Sequence, residues 1–283
     1  MRIVLMILAL GSLPVAGASE QARPLSADEI MARVAVNQDR AEAARAEFVY
    51  RQHVVIRLRN SHGTLEREEI SDFQATPEQT STHKELVGFT GRHRKGRSME
   101  GYDQSGEADE DGFRNQADAH LSKNLRDDLI SDRKSKDGVA ADLFPLTAKQ
   151  QRKYRFILKG EEIYRDTPVY RIAFEPRKGE DETCWKGEAL ISKADFQPLS
   201  VTTKLAPAIP FLVRTAMGTN LQGLGFSVEY RKFAGDVWFP VSYGTEFRVH
   251  VLFVYSRMVS ISMTNSDFRR ADVKSSVDFN PVQ

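Results

Sequence analysis

The side chains best suited to chemistry in this sequence are its histidines and its single cysteine. The six histidines stand at positions 53, 62, 83, 93, 120 and 250, and no pair has a close metal-ligand spacing such as H-x-x-x-H. The sequence contains no G-x-S-x-G turn for a nucleophilic serine and no glycine-rich phosphate loop before a helix. Cys184, next to Trp185, is typical of a small buried hydrophobic residue. The sequence therefore predicts no catalytic residue and no cofactor.

The best candidate for binding a metal is the acidic run Glu107, Asp109 and Asp111, which precedes a glycine as a calcium loop does. Asp118 falls where the closing carboxylate of that loop would stand. Glutamate replaces the usual opening aspartate, however, and Arg114 occupies a position that should be apolar. We therefore predict a solvated acidic loop and no metal site.

The amino terminus has the three parts of a secretory signal peptide. A basic start at Arg2 is followed by an apolar run over residues 3–10 and by small residues at positions 16–18. The apolar run is shorter than the roughly 20 residues that span a bilayer. No cysteine follows the run to carry a lipid anchor. We expect cleavage after Ala18, which predicts a periplasmic or secreted mature chain without a transmembrane segment.

The composition of the chain limits its partners and its covalent structure. A formal net charge of +1 argues against nucleic acid as a partner, because phosphate binding requires a basic face. A single cysteine excludes an intramolecular disulfide, so burial alone must stabilise the core. We predict that residues 19–283 form a single β domain.

The segment after the signal peptide predicts a helix followed by a strand. Ser26 and Glu29 have the spacing of a capping box, and Ile30, Val34 and Ala41 fall on one helical stripe. This pattern predicts an amphipathic helix that packs on the domain's own sheet; a helix that binds a partner or a membrane would have a similar pattern. From residue 48 to 59 the apolar period changes to two, which predicts a strand with one buried face.

Charged residues dominate the next two regions. After turn residues 60–63, the partner strand over residues 64–73 carries consecutive charges from Glu66 to Glu69. We expect the tip of this hairpin to face water on both sides. From about residue 91 to residue 149 the strand period disappears, which predicts a charged insertion. The spacing of Ala117, Leu121 and Leu125 predicts one helix inside this otherwise loop-like insertion.

The carboxyl-terminal half returns to a period of two, with turn residues between successive apolar runs. Successive hairpins of this kind predict an antiparallel meander. The predicted buried faces are Tyr154, Phe156 and Leu158; Tyr170, Ile172 and Phe174; Phe247, Val249, Val251, Phe253 and Tyr255, as the longest run; and Val259, Ile261 and Met263.

One segment, residues 206–226, is apolar without any period and is interrupted by Gly218, Gly223 and Gly225. Two interpretations remain open. The segment is either a loop packed into the core or a lid over an apolar cavity.

Short motifs recur through the same half of the chain. They are Tyr170-x-Ile172-x-Phe174-x-Pro176, Gly187-x-Ala189-x-Ile191 with Asp195 and Pro198-Leu199, and Trp238-Phe239-Pro240. Together with the amino-terminal helix and long first strand, these motifs resemble the periplasmic lipoprotein-carrier superfamily, whose members include LolA-like, LolB-like and RseB-like proteins. The resemblance covers residues from about 26 to 272, apart from the insertion.

This resemblance implies a mainly β fold of the α+β class. The expected architecture is a curved antiparallel sheet or unclosed β-barrel, with an amino-terminal helix and covering helices and loops over its concave apolar face. Members hold lipoprotein acyl chains there or bind lipidic ligands. The resemblance therefore implies an exported, non-enzymatic cell-envelope protein that binds a lipid or the acyl chains of a lipoprotein. The insertion and the charged hairpin depart from the carrier, and no functional residue of the carrier maps onto this chain.

The predicted ligand-binding residues come from the covering segment and from the sheet. They are Phe211, Leu212 and Met217 in the segment, and Val54, Ile56, Tyr170, Ile172, Val249 and Val251 in the sheet. Simple core packing would produce the same pattern. Two other functions remain open: an interaction module in which the hairpin and insertion bind another envelope protein, or a hydrolase whose histidines and carboxylates meet only on folding.

Overall fold

The computed structural model describes residues 23–77, 82–103, 112–131, 144–179, 185–205, 219–222, 224–233, 237–251 and 255–271. Twelve strands and three helices occupy these ranges. The helices are α1 (Ala27–Arg45), α2 (Phe113–Ser131) and α3 (Ala148–Gln151). The strands are β1 (Phe48–Arg59), β2 (Leu65–Pro77), β3 (Thr82–Lys95), β4 (Ser98–Tyr102), β5 (Tyr154–Tyr164), β6 (Thr167–Pro176), β7 (Trp185–Ser192), β8 (Pro198–Leu205), β9 (Thr219–Gln222), β10 (Gly225–Lys232), β11 (Trp238–Val251) and β12 (Tyr255–Arg270).

All twelve strands belong to one antiparallel sheet. Eleven follow the order β4-β3-β2-β1-β12-β11-β10-β8-β7-β6-β5, and β9 pairs with β11 beside this path. The two end strands, β4 and β5, do not pair with each other, so the described sheet is open rather than closed into a barrel. The mainly β, α+β fold with an open antiparallel sheet and an amino-terminal helix is therefore confirmed.

One face of this sheet carries the main hydrophobic core, and we call it the inner face. Directly paired residues on neighbouring strands share a face, so the strand register defines it. One cross-strand row of the inner face contains Leu158, Ile172, Ala189, Val201, Val228, Tyr243, Met263 and Val54. This row is apolar throughout because the core is continuous from β5 to β1.

Helix α1 covers part of the inner face. It begins as the sequence predicted, because the Ser26 hydroxyl accepts from the Glu29 backbone N–H and the Glu29 carboxylate accepts from the Ser26 N–H. Hydrogen bonds from Ser26 to the Glu29 carboxylate lower the pKa of Glu29. Ile30, Met31 and Val34 are buried in the main core. The helix therefore packs on its own domain.

The opposite, outer face carries ladders of ion pairs. Glu68 bridges Arg57 and Arg92 across three strands, and Arg171 binds Glu188. The arginines in these ladders are about one-third to one-half exposed. An antiparallel sheet with one packed face commonly presents such a polar face to water.

The prediction that the charged hairpin faces water on both sides near its tip holds at the turn, where residues 61–64 are exposed, but fails for the charged residues that follow. Glu68 points to the outer face, but Arg67 and Glu69 lie on the inner face and are buried. The cause is α2, which contacts β1 and β2 and covers these two residues.

The prediction of a loop-like insertion is also wrong in part. The strands β3 and β4 extend from residue 82 to residue 102, and β3 continues to Lys95 inside the predicted insertion. From Gly91 to Glu100 the inner positions of these strands, such as Gly91 and His93, are glycine or polar, so this part of the sequence has no apolar period. The helix inside the insertion is confirmed as α2, whose Leu121 and Leu125 pack against the core.

The structure of two segments in the carboxyl-terminal half also differs from the prediction. The predicted long run from Phe247 to Tyr255 is two strands, because β11 ends at Val251 and β12 begins at its partner Tyr255. The intervening residues, 252–254, are all apolar and give no turn signal. The aperiodic segment contains β9 and the start of β10, so its described part is strand rather than loop or short helix.

Several predictions concern residues outside the described ranges: the signal peptide, Cys184, the acidic run over residues 107–111, and the segment containing Phe211, Leu212 and Met217. Among the described residues, no helix has the length and apolar character needed to cross a membrane.

Candidate functional site

The inner face has an apolar half and a charged half, which are joined by a continuous row of paired residues. From β5 to β4 this row contains Phe156, Phe174, Gly187, Thr203, Phe226, Thr245, Ile261, Ile56, Glu69, Gly91 and Tyr102. Its first members are aromatic rings separated by small side chains, and its last members surround a buried carboxylate. The two halves are therefore adjacent parts of one surface.

The apolar half ends in aromatic rings that are only partly buried. Trp185 and Phe226 are half-buried and pack edge to face at 4.9 Å between ring centroids. A cavity of about 480 Å³ lies against the same part of β6, β7 and β8; Phe174, Gly187 and Thr203 of the inner row line it, together with charged outer-face residues such as Lys186 and Glu188. This end of the inner face thus carries aromatic surface that the protein leaves partly uncovered.

Gly187 allows the close packing of strands at this cavity. A Cβ at this position would lie 1.9 Å from the carbonyl oxygen of Thr202 and 2.9 Å from Cζ of Phe174. Both distances are far below van der Waals contact, so a side chain here would displace β8 or the Phe174 ring. Glycine is therefore required at this point of the sheet.

The structure places the predicted sheet residues of the site in three environments. Val54, Ile56, Ile172 and Val249 are fully buried in the core cluster that includes α1. Tyr170 is half-buried, and its ring stacks on Phe196 at 6.2 Å. Val251 ends β11, where its backbone pairs with Tyr255 and Thr219. Their contact with a ligand remains a prediction, as it does for Phe211, Leu212 and Met217.

The sequence prediction of the site did not include the residues around the cavity. Phe174 and Gly187 were present in the motifs, and their period-two positions already placed them on the buried face. Their juxtaposition with Phe226 could not be predicted, because β10 pairs with β8 although β9 precedes β10 in the chain.

The charged half contains a buried group of polar side chains, which we call the arginine cluster. Its members come from β2, β4, α2 and β12, and they are connected by hydrogen bonds and ion pairs. They are Arg67, Glu69, Tyr102, Asp118, Ser122, Arg126, Tyr255 and Arg257.

Glu69 is the centre of the first part of the cluster. Its Oε2 accepts from Nη1 of Arg126 at 2.5 Å, and its Oε1 accepts from the hydroxyl of Ser122 at 2.6 Å. The phenol of Tyr102 donates to the same Oε1 at 2.8 Å, and Nη1 of Arg67 lies 3.4 Å away. One carboxylate therefore joins two guanidinium groups from two different elements.

Asp118 is the centre of the second part. Its two oxygens bind Nε and Nη2 of Arg257 at 2.8 and 3.0 Å, which is bidentate geometry. The phenol of Tyr255 donates to Oδ1 at 2.6 Å. Asp118 therefore attaches α2 to β12.

The two tyrosines of the cluster remain protonated donors over a wide pH range. Burial raises the pKa of Tyr102, and the neighbouring Glu69 carboxylate raises it further. Burial likewise raises the pKa of Tyr255, with a smaller effect from Asp118. Each phenol therefore stabilises its carboxylate as a hydrogen-bond donor.

Gly91 provides the surface on which the Tyr102 ring lies. A Cβ at residue 91 would stand 2.2 to 2.7 Å from three atoms of that ring. We expect Gly91→Ala to move the ring away from Glu69 and to lower the free energy of unfolding by about 1–3 kcal/mol through overpacking. Denaturant unfolding measures the loss. Absorbance titration should show the pKa of Tyr102 falling toward its ordinary value as the phenol gains water.

Gly101→Ala is the matched control for that substitution. Gly101 precedes Tyr102 on the same strand, and its added Cβ would meet its nearest neighbour at an ordinary 3.8 Å. If the two variants unfold with equal stability, the close contact at Gly91 does not position the ring.

The described residues contain few other groups of side chains suited to catalysis or to metal binding. No group of three or more His, Cys, Asp or Glu side chains within the described ranges is arranged to hold a metal ion. His53 pairs with Asp72 at 2.8 Å, but both side chains are about half exposed on the outer face.

No protein-family model matches the chain, and no curated protein matches it in sequence. The chain is similar to several solved structures. A DUF1329 family protein from Desulfovibrio piger is 13% identical with a TM-score of 0.40, and the match covers 89% of this chain and 96% of that one. A putative outer membrane lipoprotein-sorting protein domain from Vibrio parahaemolyticus is 12% identical with a TM-score of 0.38, covering 86% and 93%.

A LolA superfamily protein from Nitrosomonas europaea is 11% identical with a TM-score of 0.34, covering 88% of this chain and 96% of that one. The superfamily that the motifs resemble is thus represented among solved structures similar to this chain. All these likenesses are distant and carry no argument about ligand or activity.

Proposed function

We propose that this protein binds the hydrocarbon chain of a lipid or lipoprotein on the apolar half of its inner face, as a non-enzymatic component of the cell envelope. The observation that supports the proposal is the half-buried aromatic surface of Trp185 and Phe226, which lies beside Phe174 on the inner face.

The half-buried rings at this end of the inner face suit a hydrocarbon chain. Sites for small molecules are lined mainly by apolar and aromatic side chains. Each buried CH₂ group contributes roughly 0.8 kcal/mol, so one acyl chain needs apolar contact rather than many directed polar groups. The predicted signal peptide supports export, and the predicted superfamily resemblance supports a role in the envelope.

The alternative interaction module loses part of its basis. That hypothesis relied on free charges in the hairpin and the insertion. Arg67 and Glu69 of the hairpin instead bind one another and α2 of the insertion. These charges are consequently unavailable to an external protein partner.

Filling the space beside Phe226 on the inner face should block binding. We expect Thr203→Trp to reduce the affinity for a fluorescent fatty acid at least about tenfold, because the indole would occupy the site of the chain. Fluorescence titration measures the affinity, and circular dichroism verifies the fold. The matched control is Thr264→Trp on the exposed face of β12, which should bind as the unmodified protein does. Equal affinity in both variants would place the hydrocarbon chain elsewhere.

Extraction of the purified protein with organic solvent, followed by mass spectrometry, tests the proposal without a variant. We expect a co-purifying lipid in about stoichiometric amount. An empty extract combined with no binding of the fluorescent fatty acid would refute the proposed function.

A further inference from the structure

The arginine cluster has hydrogen-bond donors that the described protein does not use. Within the described ranges, Nε and Nη2 of Arg67 and Nη2 of Arg126 are buried without a hydrogen-bond partner. The two side chains are only 1% and 2% exposed. Nη2 of Arg126 lies 3.9 Å from the half-exposed carboxylate of Asp127, which is beyond hydrogen-bond distance. Buried unsatisfied donors are rare in proteins because each carries a desolvation cost.

The two carboxylates of the cluster are shared unequally among its guanidinium groups. Asp118 is bound in bidentate fashion by Arg257, whereas Glu69 is shared between Arg67 and Arg126. The unused donors belong to the two guanidinium groups that share one carboxylate.

Arg67 and Arg126 lie next to the apolar core of the inner face. Arg67 is directly paired with Leu58 on β1, and Glu69 with Ile56. Both partners on β1 belong to the main hydrophobic core. The guanidinium of Arg67 also lies over the Tyr102 ring, and that of Arg126 over the Phe89 ring. An acidic group bound here would lie beside this core, on the same face as Phe226 and Thr203, with β1, β12 and β11 between them.

We infer that Arg67 and Arg126 bind the acidic head group, a carboxylate or a phosphate, of an amphiphile whose chain lies along the inner face. The inference rests on the proposed function, in which a hydrocarbon chain binds on the inner face. It adds that the ligand carries a negative charge. A guanidinium group presents its N–H donors in a planar fork that matches both oxyanions. The anion contacts the free Nε and Nη2 of Arg67.

Helix α2 covers the pair, since Ser122 and Arg126 both bind Glu69 from above the sheet. Binding of the head group therefore requires α2 to move or to readjust its contacts. Hydrogen exchange of α2 should change when an acidic amphiphile binds.

The test compares ligands that share one chain and differ in charge. A fluorescent fatty acid, its methyl ester and inorganic phosphate are titrated into the full-length protein. We expect the acid to bind at least about tenfold more tightly than the ester, because only the acid makes charge-assisted hydrogen bonds. A lysophospholipid with a phosphate diester head group distinguishes a phosphate site from a carboxylate site. Inorganic phosphate alone reports whether the anion binds without a chain.

The variant Arg67→Met removes the free donors and retains the length and apolar stem of the side chain. We expect it to bind acid and ester equally, at the affinity that the ester has for the unmodified protein. Arg171→Met on the exposed outer face is the matched control and should keep the preference for the acid. If Arg67→Met does not fold, the comparison of acid with ester in the unmodified protein still decides the question.

The two proposals can fail separately. Equal binding of acid and ester by the unmodified protein overturns the anion site and leaves the hydrocarbon site intact. A second outcome is that phosphate stabilises the unmodified protein but not Arg67→Met, while neither the fatty acid nor its ester binds. This outcome supports the anion site and refutes the hydrocarbon site. Absence of all binding overturns both.

Discussion

Replacing Glu69 with leucine is expected to lower the free energy of unfolding by about 3–5 kcal/mol, the range for breaking a buried ion pair from one side. The substitution leaves Arg67 and Arg126 buried with no carboxylate between them. It also removes the acceptor of Ser122 and Tyr102. Guanidinium chloride unfolding, followed by circular dichroism, measures the loss.

Glu68 offers a matched control because it is the neighbouring glutamate on the opposite face of the same strand. Its partners Arg57 and Arg92 are about one-third and one-half exposed. They can be solvated when Glu68→Leu removes their carboxylate, so we expect a loss of about 1 kcal/mol. The double variant Glu69→Leu with Arg126→Leu should recover part of the stability. A similar loss for Glu68→Leu and Glu69→Leu would contradict a dominant role for buried charge.

The elements that the sequence predicted well are those whose burial follows a simple period. On β1 and β6, apolar residues such as Val54 and Ile172 alternate with polar ones because one face meets the core and the other meets water. The start of α1 was predictable for a local reason, since both members of its capping box lie within four residues.

The charged half of the inner face could not be predicted in this way. Consecutive charges such as Arg67, Glu68 and Glu69 occur both in strands that are exposed to water on two faces and in strands that a polar helix covers on one face. Glu69 is buried because Arg126 and Ser122 of α2 bind it, and these two residues are distant from β2 in the sequence. Only the tertiary structure shows that the two segments neutralise each other.

The arrangement of residues around the cavity also depends on contacts between strands that are not consecutive in the sequence. Gly187 and Phe174 are neighbours through the hairpin-like pairing of β6 and β7, which local pattern could suggest. Phe226 joins them because β10 pairs with β8, while β9 pairs with β11. Strand order of this kind is determined by packing of the whole sheet and has no local signal in the sequence.

The contact between Asp118 and Arg257 provides the second large effect. We expect Asp118→Leu to lower the free energy of unfolding by about 3–5 kcal/mol, because Arg257 would remain buried without a counter-charge. The phenol of Tyr255 would lose its acceptor as well. Since Asp118 attaches α2 to β12, the amide protons of α2 should also exchange faster, and hydrogen exchange with mass spectrometry measures this change.

Asp127 is the control on the same helix. It pairs with Lys123 at 2.5 Å, and both side chains are about half exposed, so Asp127→Leu should cost less than about 1 kcal/mol. Replacing both partners, as in Asp118→Leu with Arg257→Met, should restore stability while the exchange of α2 stays fast, because the apolar pair lacks the bidentate contact. Unchanged exchange in Asp118→Leu would show that the contacts of Arg126, Ser122, Leu121 and Leu125 hold α2 on the sheet without Asp118.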